Sequence, residues 1–97
     1  MVKISWTEQA LEDLEAICLF IARDAPRYAA VFTDQVFVAV DRLQKFPLSG
    51  RVVPELEREE IREIIFKNYR IIYRVHREEV EILTIHHGAK LLNSSQF

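Results

Sequence analysis

The stretch IREIIFKNYRIIYRVHREEVEILTIHHG, residues 61–88, decides the fold because three strand-like runs follow one another in it almost without interruption. Apolar, β-branched and aromatic residues alternate with polar ones, which is typical of half-buried strands. The predicted strands are 61–66, 69–75 and 80–86. Only a few residues separate each from the next, so both connections are hairpins and the sheet is antiparallel.

The middle strand divides its side chains between two faces of this sheet. One face carries Tyr69, Ile71, Tyr73 and Val75, and the other carries Arg70, Ile72 and Arg74. We expect the first face to pack against the rest of the protein and the second to be open to solvent. In the last strand, Val80, Ile82, Thr84 and His86 alternate with Glu81, Leu83, Ile85 and His87.

The N-terminal half predicts a strand and a helical hairpin. Residues 2–6 alternate as a short strand, and Thr7 is suited to cap a helix over 8–23. Asp24 can cap a second helix, which has Pro26 in its first turn and stops before Pro47. A loop follows over 47–60. These elements make one α+β domain, residues 1–97, in which a helical hairpin covers one face of a three-stranded antiparallel sheet.

Composition places the chain among soluble globular proteins, since 49% of its 97 residues are hydrophobic and 29% are charged. It has neither a membrane-spanning run nor a signal peptide, and its single cysteine, Cys18, falls among apolar helix residues. We therefore expect a cytoplasmic protein without contact to membranes. His86 and His87 point to opposite faces of a strand, so we expect no metal site, and nothing indicates a cofactor.

Positive charge is concentrated on the predicted sheet although the net charge is −2. Residues 61–77 contain one acidic residue, Glu63, and five basic ones: Arg62, Lys67, Arg70, Arg74 and Arg77. A protein that binds nucleic acid by broad phosphate neutralisation is usually basic overall. The sequence thus predicts a local cationic patch on the open sheet face.

The order of short motifs along the chain resembles the ParE/RelE superfamily of toxins from bacterial type II toxin–antitoxin modules, which include plasmid stabilisation proteins. The likeness covers residues 3–90. Its elements are Trp6, Asp24-Ala-Pro26, Pro47-x-x-Gly50-Arg51 with Pro54-Glu55, Arg62-Glu63, Tyr69-Arg70-Ile71-Ile72-Tyr73 and His87-Gly88.

This resemblance implies an antitoxin partner, whose disordered tail folds across the toxin in a hetero-oligomer. We expect glutamates of that tail to meet the sheet cations Arg62, Lys67, Arg70 and Arg74. An apolar groove between the hairpin and the sheet edge would take a helix and an added strand, with 2–6 or 61–66 as the free edge.

Two activities occur in the superfamily: ParE-like members inhibit DNA gyrase, and RelE-like members cut mRNA on the ribosome. In the nuclease case the resemblance implies Arg70 at the scissile phosphate, Lys90 as a second cation, Arg62 beside them, and Glu63 or His86 as acid or base. The tail LLNSSQF lacks a tyrosine or histidine for acid–base chemistry, and the chain is acidic. Both points favour the gyrase inhibitor, with the endonuclease and an inactive homologue as alternatives.

Overall fold

The computed structural model describes residues 1–93, 95 and 97, and in this part of the chain two helices lie against one five-stranded sheet. The helices are α1 (Glu8–Ala22) and α2 (Pro26–Asp41), and a 3₁₀ turn, Arg42–Gln44, follows α2. The strands are β1 (Lys3–Trp6), β2 (Arg51–Val52), β3 (Ile61–Phe66), β4 (Tyr69–His76) and β5 (Glu79–His87). The α+β class, the helical hairpin and the two β-hairpins are confirmed.

The sheet is larger than predicted, with the strand order β1-β5-β4-β3-β2. Strand β1 joins one edge parallel to β5, while all other neighbours are antiparallel. Residues 51–52, predicted as loop, form β2 on β3 at the other edge. Two residues are too few for alternation to reveal a strand.

The start of α1 is fixed by Thr7, as predicted. Its hydroxyl accepts a hydrogen bond from the Ala10 N–H and donates to the carbonyl oxygens of Ile82 and Leu83, which joins the helix to β5. The predicted cap at Asp24 is wrong. The N-cap of α2 is Ala25, without a side-chain bond, and Pro26 presets the first turn.

The main core lies between the helices and the sheet. It includes Leu14, Phe32, Val36, Val40, Ile71, Tyr73, Val80, Ile82 and Ile85. Tyr69 packs against it, as expected of its face of β4, and so do Trp6 and Cys18.

A bulge in β5 changes the sheet face to which the side chains of its last residues point. Ile72 lies opposite Thr84 while Tyr73 lies opposite Ile82, so Leu83 is left unpaired. One extra residue shifts the alternation of side chains by one position. The predicted grouping is therefore wrong beyond Leu83, and Ile85 packs in the same core as Ile82.

The sheet face opposite the helices is covered, contrary to the expectation of an open face. A second apolar cluster consists of Val53, Leu56, Ile61, Ile72 and Leu92, with Leu83 and Phe97 packed on it. Ile61 and Ile72 are fully buried on this face, and burying their apolar surface stabilises the arrangement. The loop after β2, together with Leu92 and Phe97, supplies the cover.

Within the described part of the chain, no helix has both the length and the apolar character needed to cross a membrane.

Candidate functional site

Arg70 of β4 is enclosed by carboxylates rather than exposed to solvent. It is 4% exposed, and its Nε donates a hydrogen bond of 2.5 Å to Glu63 Oε1. Its Nη1 and Nη2 donate to Glu55 Oε2 at 2.6 Å and to Oε1 at 2.8 Å, a bidentate pair. The expected exposure of Arg70 is wrong because Glu63 from β3 and Glu55 from the loop reach it inside the molecule.

Glu63 is the most deeply buried charge of this group, at 1% exposure. Its second oxygen, Oε2, accepts a 2.5 Å hydrogen bond from Arg51 Nε, because β2 places Arg51 directly opposite Glu63. Two arginines and two glutamates therefore balance in charge. We call Arg51, Glu55, Glu63 and Arg70 the arginine–glutamate cluster.

Hydrogen bonds within the cluster shift the pKa values of Glu55 and Arg70. Those from Arg70 lower the pKa of Glu55 from its ordinary 4.5 to about 2. In turn, the hydrogen bonds that Arg70 donates to Glu55, and next the one it donates to Glu63, raise the pKa of Arg70. Arg70 is thus charged near neutral pH, and its charge is compensated inside the protein.

The lowered pKa of Glu55 predicts a loss of stability in acid. Above pH 4.5 the carboxylate is ionised in both folded and unfolded chains and its interaction with Arg70 is fully present. As the pH falls from 4.5 towards 2, the unfolded chain takes up the proton first and about 2 to 3 kcal/mol is lost. Urea denaturation at pH 6, 4 and 3 measures this. In Glu55→Gln the loss should be smaller by that amount, and an equal loss in both proteins would contradict the assignment.

The other predicted cations do not gather around Arg70. Arg62 lies opposite Tyr73, on the helix-facing side, where its guanidinium donates to the carbonyl oxygens of Glu59, Leu48 and Gly50. Lys67 lies at the β3–β4 turn, with its Nζ 2.5 Å from the Tyr28 hydroxyl. Arg74 reaches Glu81 at 3.4 Å. The single cationic patch expected on the sheet is therefore not formed.

His86 and Lys90 do come together, at a cavity of about 570 Å³ that Asp13 and Thr84 also line. Nδ1 of His86 is buried and finds no hydrogen-bond partner among the described residues. Burial, followed by the nearby charge of Lys90, lowers the pKa of His86. Arg70 does not line this cavity. His87 points elsewhere and meets the Tyr69 ring edge-on.

Asp13 was not predicted as a site residue. From α1 it accepts hydrogen bonds from the Thr84 hydroxyl and from the Ile85 N–H, beyond the point where β1 stops pairing with β5. The sequence around Asp13 is that of an ordinary helix, so it does not indicate a contact with Thr84 and Ile85 of β5.

A second cavity, of about 800 Å³, runs between α2 and β3. Exposed apolar side chains line it, among them Val38 at 59%, Phe46 at 63% and Ile65 at 56%. Strand β2 pairs only with Arg62 and Glu63, so residues 64–66 of β3 have no partner on their outer edge within the described chain. We call this cavity, with its strand edge, the α2–β3 groove.

Among the described residues, no three His, Cys, Asp or Glu side chains are grouped as a metal ion would need.

A helical hairpin on a mixed five-stranded sheet, with an apolar groove at a strand edge, defines a class of small α+β proteins. The family model of the ParE toxin of type II toxin–antitoxin systems, parDE, matches residues 4–92. The chain belongs to this ParE toxin family, and it is a type II toxin of the ParE/RelE superfamily.

Two related proteins are named as toxins. The protein named "Putative toxin Y4kP" of Sinorhizobium fredii is 38% identical over 88 residues, which is 89% of this chain and 88% of that protein. Toxin RelE2 of Caulobacter vibrioides is 33% identical over 91 residues, 94% of this chain and 100% of that protein.

Two solved toxin–antitoxin systems contain similar chains. The chromosomal ParDE system from P. aeruginosa matches with a TM-score of 0.76 at 26% identity, over 90% of this chain and 96% of that one. The RelBE2 complex of Mycobacterium tuberculosis matches with a TM-score of 0.59 at 26% identity, over 92% and 93%.

Proposed function

We propose that this toxin inhibits growth by binding DNA gyrase, without catalysis of its own, and that a cognate antitoxin neutralises it. The observation that carries the proposal is the state of Arg70. This is the residue that the nuclease mechanism requires at the scissile phosphate, and here its guanidinium is held by Glu55 and Glu63.

A phosphate cannot easily replace these carboxylates. RNA cleavage needs cations that stabilise the developing negative charge on phosphorus. Releasing Arg70 would leave the Glu63 carboxylate buried with Arg51 as its remaining partner, and separating a buried ion pair costs several kcal/mol. The negative net charge of the chain also disfavours entry into an RNA-lined site.

The nuclease alternative is supported by the cavity that both His86 and Lys90 line and by the likeness to Toxin RelE2. A ribosome-dependent endonuclease built there would have to work without Arg70 or Arg62. The higher TM-score to the ParDE system than to RelBE2 also supports the ParE-like reading.

Expression in bacteria tests the choice of target. Under controlled induction, we expect filamentous cells and a DNA-damage response, with cellular mRNA intact, since gyrase inhibition leaves translation unaffected at first. Cleavage of mRNA at codon boundaries would contradict the proposal in favour of the endonuclease. Normal growth at a verified protein level would favour the inactive homologue.

The α2–β3 groove is the place where we propose the antitoxin docks. Exposed Val38, Phe46 and Ile65 offer an apolar track for an amphipathic helix, and the free edge of β3 offers main-chain groups to an added strand. Lys67 and Arg74 are partly or fully exposed and could pair with antitoxin carboxylates, whereas Arg70 is already paired.

Charge introduced into the groove is expected to break the toxin–antitoxin complex. Val38→Asp and Ile65→Asp each place a carboxylate where an apolar contact is expected, and each should raise the antitoxin Kd at least about tenfold, which is roughly 1.4 kcal/mol. Calorimetry with the purified antitoxin measures it. Leu19→Asp is the matched control, since Leu19 is equally exposed but does not line the groove. Equal effects of all three would exclude this docking site.

A further inference from the structure

Leu92 and Phe97 lie in a groove on the sheet face opposite the helices. The floor of this outer groove is the apolar cluster of Val53, Leu56, Ile61 and Ile72. Leu92 enters it and is 7% exposed, while its neighbour Leu91 is 80% exposed. Of these two adjacent leucines, only Leu92 is therefore buried.

Polar groups of the arginine–glutamate cluster hold the backbone at Lys90 and at Leu92, on either side of Leu91. Arg70 Nη1 donates a hydrogen bond of 3.1 Å to the carbonyl oxygen of Lys90. The Leu92 N–H donates one of 3.1 Å to Glu55 Oε2. The Arg70–Glu55 pair thus forms hydrogen bonds with one main-chain acceptor, at Lys90, and one main-chain donor, at Leu92.

Two further arginines bind the chain at Phe97. The carbonyl oxygen of Phe97 accepts from Arg58 Nη1 at 2.9 Å and from Arg74 Nη2 at 3.3 Å, and its ring packs on the apolar cluster. Main-chain hydrogen bonds combined with pockets for selected side chains are the means by which proteins recognise extended peptides.

We propose that the outer groove is a peptide-binding site that this chain fills with its own residues 90–93 and Phe97, and that a peptide of the same sequence supplied from outside can replace them. The anchor is Leu92, and Arg70 and Glu55 position the backbone. Arg70 thereby acquires a role as the residue that holds the C-terminal segment.

The test uses the full chain and a labelled peptide, AKLLNSSQF, corresponding to residues 89–97. Leu92→Asp should expel the segment because it puts a carboxylate into an apolar cluster beside Glu55. Fluorescence anisotropy should then show the peptide binding to Leu92→Asp at least about tenfold more tightly than to the wild type. In the wild type, the tethered segment competes at an effective concentration of about millimolar.

Matched controls distinguish binding at this site from non-specific binding of the peptide. Leu91→Asp alters an equally large side chain that faces solvent, so that variant should bind the peptide as weakly as the wild type does. A peptide carrying aspartate in place of Leu92 should bind none of the proteins. Absence of binding to a folded Leu92→Asp chain, or equal binding of both peptides, would overturn the proposal.

Circular dichroism establishes whether Leu92→Asp is folded. If it is not, Leu92→Ala replaces it and hydrogen exchange becomes the readout. The Leu92 amide position should then exchange at least about tenfold faster than in Leu91→Ala, and added peptide should restore protection of the backbone at Val53 and Leu56. Equal exchange in both variants, or no protection by the peptide, would likewise overturn the proposal.

Discussion

Replacement of Arg70 by methionine is expected to lower the free energy of unfolding by about 3 to 5 kcal/mol. The reason is that the fully buried Glu63 carboxylate loses its buried partner and Glu55 loses a bidentate one. Urea denaturation at pH 7 measures the change. Arg51→Met is the matched control, since it removes the partner whose side chain is 60% exposed, and it should cost no more than about 1 kcal/mol.

A second substitution distinguishes a structural Arg70 from a catalytic one. Replacing a buried ion pair by apolar residues of similar size is often nearly neutral for stability. Arg70→Met combined with Glu63→Leu should therefore recover most of the stability lost in Arg70→Met. We expect the recovered protein to inhibit growth although it lacks Arg70. A folded double variant without any toxicity would show that the guanidinium itself meets the target.

The second large effect is expected from Gly50→Ala, which should destabilise the protein by about 3 kcal/mol. A Cβ atom at Gly50 would lie 2.5 Å from the Tyr73 hydroxyl oxygen and 2.6 Å from the carbonyl oxygen of Glu63. The hydroxyl cannot move away cheaply, because it accepts from the Gly50 N–H and donates to the carbonyl oxygen of Pro47, each at 2.9 Å.

Thermal denaturation with Ser49→Ala as the neighbouring control measures this effect. Ser49 is exposed, so its loss of a hydroxyl should change stability by less than about 0.5 kcal/mol. Since Gly50 also lines the α2–β3 groove, Gly50→Ala should weaken antitoxin binding as well. A wild-type melting temperature would mean that the loop accommodates the methyl group, and would contradict the close packing of Gly50 against Tyr73 and Glu63.

The regular elements could be predicted because their signals are local. Alternation and helical periodicity located β3, β4, β5, α1 and α2 to within one or two residues, apart from the C-terminal end of α2. The Thr7 cap and the hairpins follow from residues adjacent in sequence. By contrast, β2 pairs only two residues, and the bulge at Leu83 depends on how β4 and β5 fit together.

The burial of Arg70 depends on contacts between residues distant in sequence. Only the contact with Glu63 could have been predicted from the sequence. A tight hairpin pairs Phe66 with Tyr69 and so brings Glu63 and Arg70 to the same face, which counting along the two strands could have revealed. Glu55 arrives from an irregular loop, for which no periodicity exists. Leu92 was likewise unpredictable, since nothing distinguishes it in sequence from Leu91.

We propose that this toxin acts by binding gyrase and not by cutting RNA, and one experiment tests this directly. Purified toxin, separated from its antitoxin, should be added in parallel to a gyrase supercoiling reaction and to a bacterial translation extract with a defined mRNA. We predict that supercoiling is blocked while the mRNA stays intact. Cleavage of the mRNA at codon boundaries, with supercoiling unaffected, would contradict the account.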